Sequence, residues 1–155
     1  MNIRRATEND MKQVIELLEQ VDMVHHIIRP DLFNIGTKYT EDELREIFAD
    51  DERPVFVAVD EEDRAMGYAF CMFKYHPDDN VLTDIRTLYI DDLCVYENLR
   101  GQHIGKAIYE YVLDYARGCG CYNVTLNVWE GNDSAKSFYE NVGMKVQKYG
   151  METIL

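Results

Sequence analysis

The sequence predicts an α/β (α+β) domain with a mixed central sheet and helices on both of its faces, in the element order β-α-α-β-β-β-α-β-α-β. Three observations predict it. Apolar stripes at helical spacing alternate with runs rich in β-branched and aromatic residues along all 155 residues, which is the pattern of interleaved helices and strands. Between Thr87 and Trp129 a strand, a glycine-flanked loop, a helix and a second strand follow one another, and such a βαβ unit lays its strands parallel with a right-handed crossover. No repeat, low-complexity run or compositional break divides the chain, so a single domain over residues 1–155 is expected.

Each element has a local reason. Asn2 to Arg5 is a short strand, and Thr7-Glu8-Asn9-Asp10 resembles a capping box that opens a helix. Met11, Val14, Ile15, Leu17, Leu18 and Val21 give this helix a broad apolar face, suited to packing on a sheet. From Asp22 to Tyr39 the periodicity fades, and Arg29-Pro30 with Asn34-Ile35-Gly36 predicts a loop holding a helical turn around Asp31 to Phe33. Thr40-Glu41-Asp42-Glu43 is a full capping box for a second helix that turns Leu44, Ile47 and Phe48 inward and ends near Asp50. Pro54 to Asp60 and Ala65 to Tyr75 read as strands joined by the polar turn Glu61-Glu62-Asp63-Arg64. Gly67 inside the second of them predicts a bulge or a close backbone approach.

After a turn at His76-Pro77-Asp78-Asp79-Asn80, Thr87 to Val95 forms the strand that leads into the glycine loop. The helix beyond it, Ile104 to about Arg117, places Ile104, Ile108, Tyr111, Val112 and Tyr115 on one side and is stopped by Gly118, a residue suited to a helix end. Asn123 to Trp129 is the next strand. Asn132-Asp133-Ser134 caps a last helix with Ala135, Phe138, Tyr139 and Val142 on one face. Gly143 ends it, and Met144 to Leu155 is expected to form a terminal strand.

Composition limits the partners. With 16 basic and 29 acidic residues the net charge is −13, which argues against a phosphate-backbone binder and favours cationic partners or a plain acidic surface. Cys71, Cys94, Cys119 and Cys121 follow no metal spacing, so reduced thiols and no metal are expected. The N-terminus has no apolar run behind its charges and no stretch approaches a membrane span. A cytoplasmic protein is expected, with neither nucleic acid nor membrane as partner and a homodimer as a possible assembly.

The chemistry gathers around Arg100-Gly101-Gln102-His103-Ile104-Gly105-Lys106. The loop opens directly into a helix, whose first amides have no intrahelical partner and carry the positive end of the macrodipole, so it is built to hold an anion. Gly101 and Gly105 let the backbone turn and approach a ligand, and Arg100 and Lys106 add charge. Gly101 to Lys106 is one residue short of a P-loop and is followed by Ala107 rather than Ser or Thr, and no G-x-G-x-x-G occurs.

This loop resembles the Arg/Gln-x-x-Gly-x-Gly/Ala loop of the GCN5-related N-acetyltransferases (GNAT), with His103 at the family's first motif glycine. His103 reads either as a further hydrogen bond or charge on a phosphate or as a solvent-facing turn residue. Asn132-Asp133-Ser134-Ala135-Lys136-Ser137-Phe138-Tyr139-Glu140-Asn141-Val142-Gly143-Met144 resembles the family's Asn-x-x-Ala-x-x-Phe-Tyr-x-x-x-Gly-Phe segment. The resemblance implies the GNAT fold, acetyl-CoA as cofactor, and a sheet whose central parallel strands part around it. It implies that the loop amides from Arg100 through Gly101, Gln102, His103, Ile104, Gly105 and Lys106 cradle the pyrophosphate. The backbone of Leu93, Cys94 and Val95 would take the pantetheine arm as an added strand, Asn132 would contact it, and Tyr139 would protonate the departing thiolate. By its position on the apolar stripe alone, Tyr139 is a core residue.

An acceptor ammonium must lose a proton before it attacks, so a carboxylate is wanted at the site. Asp91 and Asp92 precede the loop, and strand alternation sends neighbouring side chains to opposite faces, so at most one faces the chemistry. Asp91-Asp92-Leu93-Cys94-Val95 resembles the Glu-Asp-aromatic-aromatic-Val stretch of polyamine acetyltransferases, and Asp91 falls on the Glu taken as base there. The alternative is two polar strand residues. In the same resemblance the early region forms the acceptor site, which makes His25, His26, Arg29, Phe33 and Tyr39 candidate contacts, against a plainly solvated histidine pair. The expected activity is acetyl transfer to a primary amine, with a small cationic amine such as a polyamine or aminoglycoside as acceptor. The acidic runs at 41–46, 60–63 and 78–79 would line its approach. The alternatives are a protein or peptide amine as acceptor and a non-catalytic acyl-CoA sensor.

Overall fold

The computed structural model describes residues 1–155. Its five strands lie in the order β1-β2-β3-β4-β5, with β1 at Asn2–Arg5, β2 at Val55–Val59, β3 at Ala65–Lys74, β4 at Thr87–Val95 and β5 at Asn123–Thr125. The first four pair antiparallel, and β5 lies parallel to β4. The helices are α1 at Met11–Ile28, α2 at Glu41–Phe48, α3 at Ile104–Gly118 and α4 at Asp133–Asn141. None is long and apolar enough to cross a membrane.

The sheet is covered on both faces, as the apolar patterns require. On one face Val14, Leu17 and Leu18 of α1 and Leu44 and Ile47 of α2 pack on Val55, Val57, Val59, Tyr68 and Phe70. On the other, Ile104, Ile108, Tyr109, Val112 and Ala116 of α3 pack on Phe56, Ala58, Ala69, Cys71, Leu88 and Ile90. Every residue of β2 is buried, which is why that strand reads as a continuous apolar run rather than an alternating one. Ahead of α1, the Thr7 capping box forms with Asp10, and Arg4 bonds both oxygens of this buried carboxylate at 2.8 and 3.0 Å. That fork ties β1 to the start of α1 and satisfies the Asp10 charge.

Gly67 shows both expected features. Pairing shifts from Ala58↔Gly67 to Val59↔Ala65, so Met66 is bulged out. A Cβ on Gly67 would lie 2.7 Å from the Cys94 carbonyl oxygen, 3.0 Å from Val95 Cγ2 and 3.1 Å from Ile108 Cδ1. Gly67→Ala is therefore expected to destabilise the fold by about 1–3 kcal/mol through overpacking. A denaturation midpoint equal to the parent's would show instead that β3, β4 and α3 separate without cost.

Three elements differ from the sequence expectation. The first helix continues through Asp22 to Ile28, placing His25 and His26 on α1 rather than in a loop. No helix breaker precedes Pro30, and the residue before a proline is the natural stop; Arg29 there leaves helical geometry at φ −135° and ψ 73°. β5 ends at Thr125 instead of Trp129, because it leaves its partner β4 after Tyr89. Met144–Leu155 forms no strand. A strand needs a ladder, and β5 offers only a three-residue edge. Val146, Tyr149, Met151 and Ile154 accordingly stay exposed, while Glu152 pairs with Arg29.

Candidate active site

The site begins where the two parallel strands part. β4 and β5 pair only through Thr87↔Asn123, Leu88↔Val124 and Tyr89↔Thr125, so from Ile90 to Val95 the side of β4 that faced β5 is open. The Tyr96 amide donates to the Met66 carbonyl on β3 at 3.1 Å. Amide directions alternate along an antiparallel strand, so the Leu93 and Val95 amides point to the open side. Gln20 of α1 closes the far end of this edge. Its carboxamide donates to the Val95 carbonyl at 2.9 Å and accepts from the Glu97 amide at 3.2 Å. Sequence reasoning missed Gln20, whose signal was a polar residue near the end of an apolar helical run.

Beyond the edge, the amides of Gly101, Gln102, His103, Ile104, Gly105 and Lys106 have no hydrogen-bond acceptor in the chain, and the first closed bond of α3 runs from Ala107 to His103. Gly101 at φ 82° and His103 at φ 62° hold the left-handed turns that gather these donors at one helix N-terminus. His103 thus stands at a position glycine fills without strain, among the few residue types that tolerate it. Gly105 also has a packing reason to lack a side chain. It lies inside α3, and a Cβ there would meet Phe138 of α4 at 3.3 Å and Val95 at 3.7 Å. Its missing side chain lets α3 pack against α4, while its amide remains in the free set. Arg100 lies exposed at the loop's start, and Lys106 forms a 3.7 Å ion pair with Glu110.

The two aspartates do not point to opposite faces. β3 pairs Phe70 with Asp92 but Cys71 with Ile90, so Asp91 is an extra residue in a β-bulge. A bulge interrupts alternation and re-aims side chains. Lys38 of the α1–α2 loop donates to Asp91, as does the Tyr39 hydroxyl at 3.3 Å. Asp92 accepts from Tyr68 at 2.5 Å, and Tyr68 and Phe70 belong to the face covered by α1 and α2. Both carboxylates therefore share that face. Burial pushes the Asp92 carboxyl up to about 6, against the opposing Tyr68 bond and Lys38 charge, with Asp91 adding to the rise. Against the lowering effect of burial, the bond to Asp91 raises the Lys38 ammonium above its ordinary value.

Tyr139 of α4 lies near enough to Asp92 to be affected by its charge. Burial raises its phenol above the ordinary tyrosine value, with the Asp92 charge as the next cause, so the two groups sense each other. Its ring packs edge-on against Phe138 at 5.1 Å, and no protein group hydrogen-bonds its hydroxyl. The Asn132 side chain caps α4 by accepting from the Ala135 amide at 3.3 Å. Cys94 is buried beneath the open edge, its thiol pushed up to about 12 by burial and then by Asp92.

The helix and loop around residues 22–39 form an aromatic and charged wall. His25 packs on Phe33 at 5.1 Å, Phe33 meets Trp129 edge-on at 5.4 Å, and Tyr39 stacks on Phe70 at 5.7 Å. Arg29 lies over Trp129 and bonds Asp31 and Glu152. His26 is engaged with the Phe33 carbonyl at 2.6 Å. Asp22 faces His25 and Lys38, and burial raises its carboxyl. The acidic runs expected to line the approach are spent locally. Glu41 and Asp42 bind Arg45, Asp60 binds Arg64, Asp63 binds Arg4 and Asp79 holds the Val81 and Leu82 amides.

Parallel strands that part beside an amide-lined loop, with Asp91, Asp92 and Tyr139 at hand, make a site suited to a ligand that carries phosphate groups. A model of the acetyltransferase (GNAT) family matches residues 21–144. The chain belongs to that family and is an N-acetyltransferase. It is similar to a mutant of the BH1408 protein from Bacillus halodurans, at 33% identity and TM-score 0.95, over 100% of this chain and 99% of that one. A peptidyl-lysine N-acetyltransferase, YjaB, of Salmonella typhimurium is 29% identical over 94% of this chain and 84% of its own length. A thialysine N-epsilon-acetyltransferase of Bos taurus is 26% identical over 91% of this chain and 82% of its own.

Proposed function

We propose that the chain is one acetyl-CoA-dependent domain that acetylates a primary amine of the lysine side-chain type, free or in a peptide, by direct attack. The observation that carries this reading is the ammonium already held beside the carboxylate pair. Lys38 Nζ sits on Asp91, 5.4 Å from the Tyr39 ring centroid, so this carboxylate and ring suit a lysine-like head group. The names of the two curated relatives, one for peptidyl-lysine and one for thialysine, agree with it. The net charge of −13 supports a second reading, a small polycation such as a polyamine. Such attraction weakens as the Debye length falls from about 10 Å at 0.1 M salt to about 3 Å at 1 M.

The donor fits what the chain offers. The free amides from Gly101 to Lys106, with Arg100, would hold its pyrophosphate, and the Leu93 and Val95 amides would pair with its pantetheine arm as an added strand. Bound there, acetyl-CoA supplies an activated thioester. Asp92 takes the proton from the acceptor ammonium, since a base near neutrality suits that task. Asp91, favoured for this role by sequence, instead anchors the ammonium. Tyr139 delivers a proton to the departing sulfur.

Free thiol release, measured on a panel of lysine analogues, peptides, polyamines and aminoglycosides at low and high salt, tests the acceptor. Lysine-type amines should react best with weak salt dependence. Preference for polyamines that fades with salt would select the second reading, and tight acetyl-CoA binding without turnover on any amine would mean a sensor. Arg100→Ala is expected to weaken acetyl-CoA binding about 3–10-fold by calorimetry, the size of one ordinary solvent-exposed hydrogen bond, with an unchanged melting temperature. Unchanged affinity would remove Arg100 from the donor site.

A further inference from the structure

We infer that Lys38 is itself an acceptor: in the absence of another amine, the enzyme transfers one acetyl group to Lys38 Nζ within the same molecule. The inference rests on the lysine-type acceptor reading and adds an internal substrate to it. Lys38 lies in the loop between α1 and α2, its side chain 43% exposed. Its ammonium nevertheless turns inward to Asp91, the carboxylate on the bulge of β4. Asp92 and Tyr39 lie close enough to act on the Lys38 charge. The open edge of β4 begins at the neighbouring residue, Ile90, and runs to Val95. A lysine amine is therefore already held on Asp91, within reach of the Asp92 charge and beside the edge where a thioester would lie. The other lysine with a recorded carboxylate partner, Lys106, pairs with Glu110 on the surface of α3.

The transfer balances without a further reactant. The Lys38 ammonium gives a proton to Asp92, and the freed lone pair of Nζ forms a bond to the thioester carbonyl carbon. The carbon–sulfur bond breaks, and the sulfur takes a proton from Tyr139. Tyr139 recovers it from the second proton lost by Nζ, while Asp92 passes the first to solvent. The products are an Nζ-acetyl lysine, free coenzyme A and one proton. The neutral amide no longer pairs with Asp91 as a cation, so the modified site exposes that carboxylate to an incoming ammonium. An internal lysine that must first be displaced or acetylated would thus delay entry of the first external acceptor.

The test uses the full chain with acetyl-CoA and no added amine, followed by intact mass and peptide mapping, with thiol release on the amine panel run in parallel. The expected result is a gain of one acetyl group, mapped to Lys38 and matched by one equivalent of thiol. Lys38→Arg, which retains the cation, should lose it. Tyr139→Phe should slow it by about 10²-fold or more, the scale of general acid catalysis. Acetylation spread over surface lysines, or proceeding equally fast in Tyr139→Phe, would be simple chemical modification and would overturn the inference. An unmodified Lys38 in an enzyme that turns over external amines would overturn it too, leaving the acetyltransferase reading intact. Absence of thiol release with every amine as well as with Lys38 would instead defeat the acceptor reading on which it rests.

Discussion

Asp92→Asn is expected to lower kcat/KM by about 10²–10⁴-fold, the usual scale of general base catalysis. The asparagine keeps the shape and an oxygen to accept from Tyr68 but cannot take a proton. The base must be ionised to work, so the parent's kcat/KM should fall as pH drops through about 6, and the variant's residual rate should lack this limb. The same shift bears on stability. Asp92 ionises near 3.8 when unfolded and near 6 when folded, so the folded state holds the proton more tightly. Its favourable contribution is complete below 3.8 and is lost as pH rises through 6, a swing of roughly 3 kcal/mol. Asp92→Asn never ionises, so it should melt higher than the parent above pH 6 and lose that advantage in acid. If Asp91→Asn rather than Asp92→Asn removes the acidic limb, the base is Asp91.

Tyr139→Phe should reduce kcat by about 10²–10⁴-fold with little change in acetyl-CoA affinity. The ring that packs on Phe138 is retained, and the hydroxyl that is lost has no protein partner whose bond would be broken. Stability should therefore hold or rise slightly, because the desolvated hydroxyl contributes no internal hydrogen bond. An acid must be protonated, and burial with the Asp92 charge holds the phenol above the ordinary tyrosine value. Any alkaline loss of activity from this group should accordingly lie above 10. An unchanged rate in an assay limited by chemistry would return Tyr139 to a packing role.

Local sequence determined most of the architecture. Thr40 and Asn132 stand at the helix starts they predict and Thr7 caps the short turn that runs into α1, and the two-residue period of β2 and β3 sends their side chains in turn to the two helical layers. The glycine loop was legible for the same reason, since free amides at a helix start follow from backbone geometry whatever the ligand. α1 runs past the point where its apolar periodicity fades because that fading is a weaker stop than Pro30. The terminal strand failed because a β pattern in Met144–Leu155 says nothing about whether a partner edge exists.

The chemistry was decided by contacts between residues far apart in sequence. Asp91 and Asp92 were visible as a pair, but their shared face follows from a bulge set by the pairing of β4 with Phe70 and Cys71. Their different surroundings depend on Lys38, more than fifty residues away, which bonds Asp91, and on Tyr68 from the neighbouring strand, which bonds Asp92. Gly105 was legible as a small residue, yet only the arrival of Phe138 from α4 shows what its missing side chain makes room for. Helix caps and strand alternation act over a few bonds and are written locally. A carboxyl's basicity depends on burial and on nearby charges, and those exist only once distant segments have packed together.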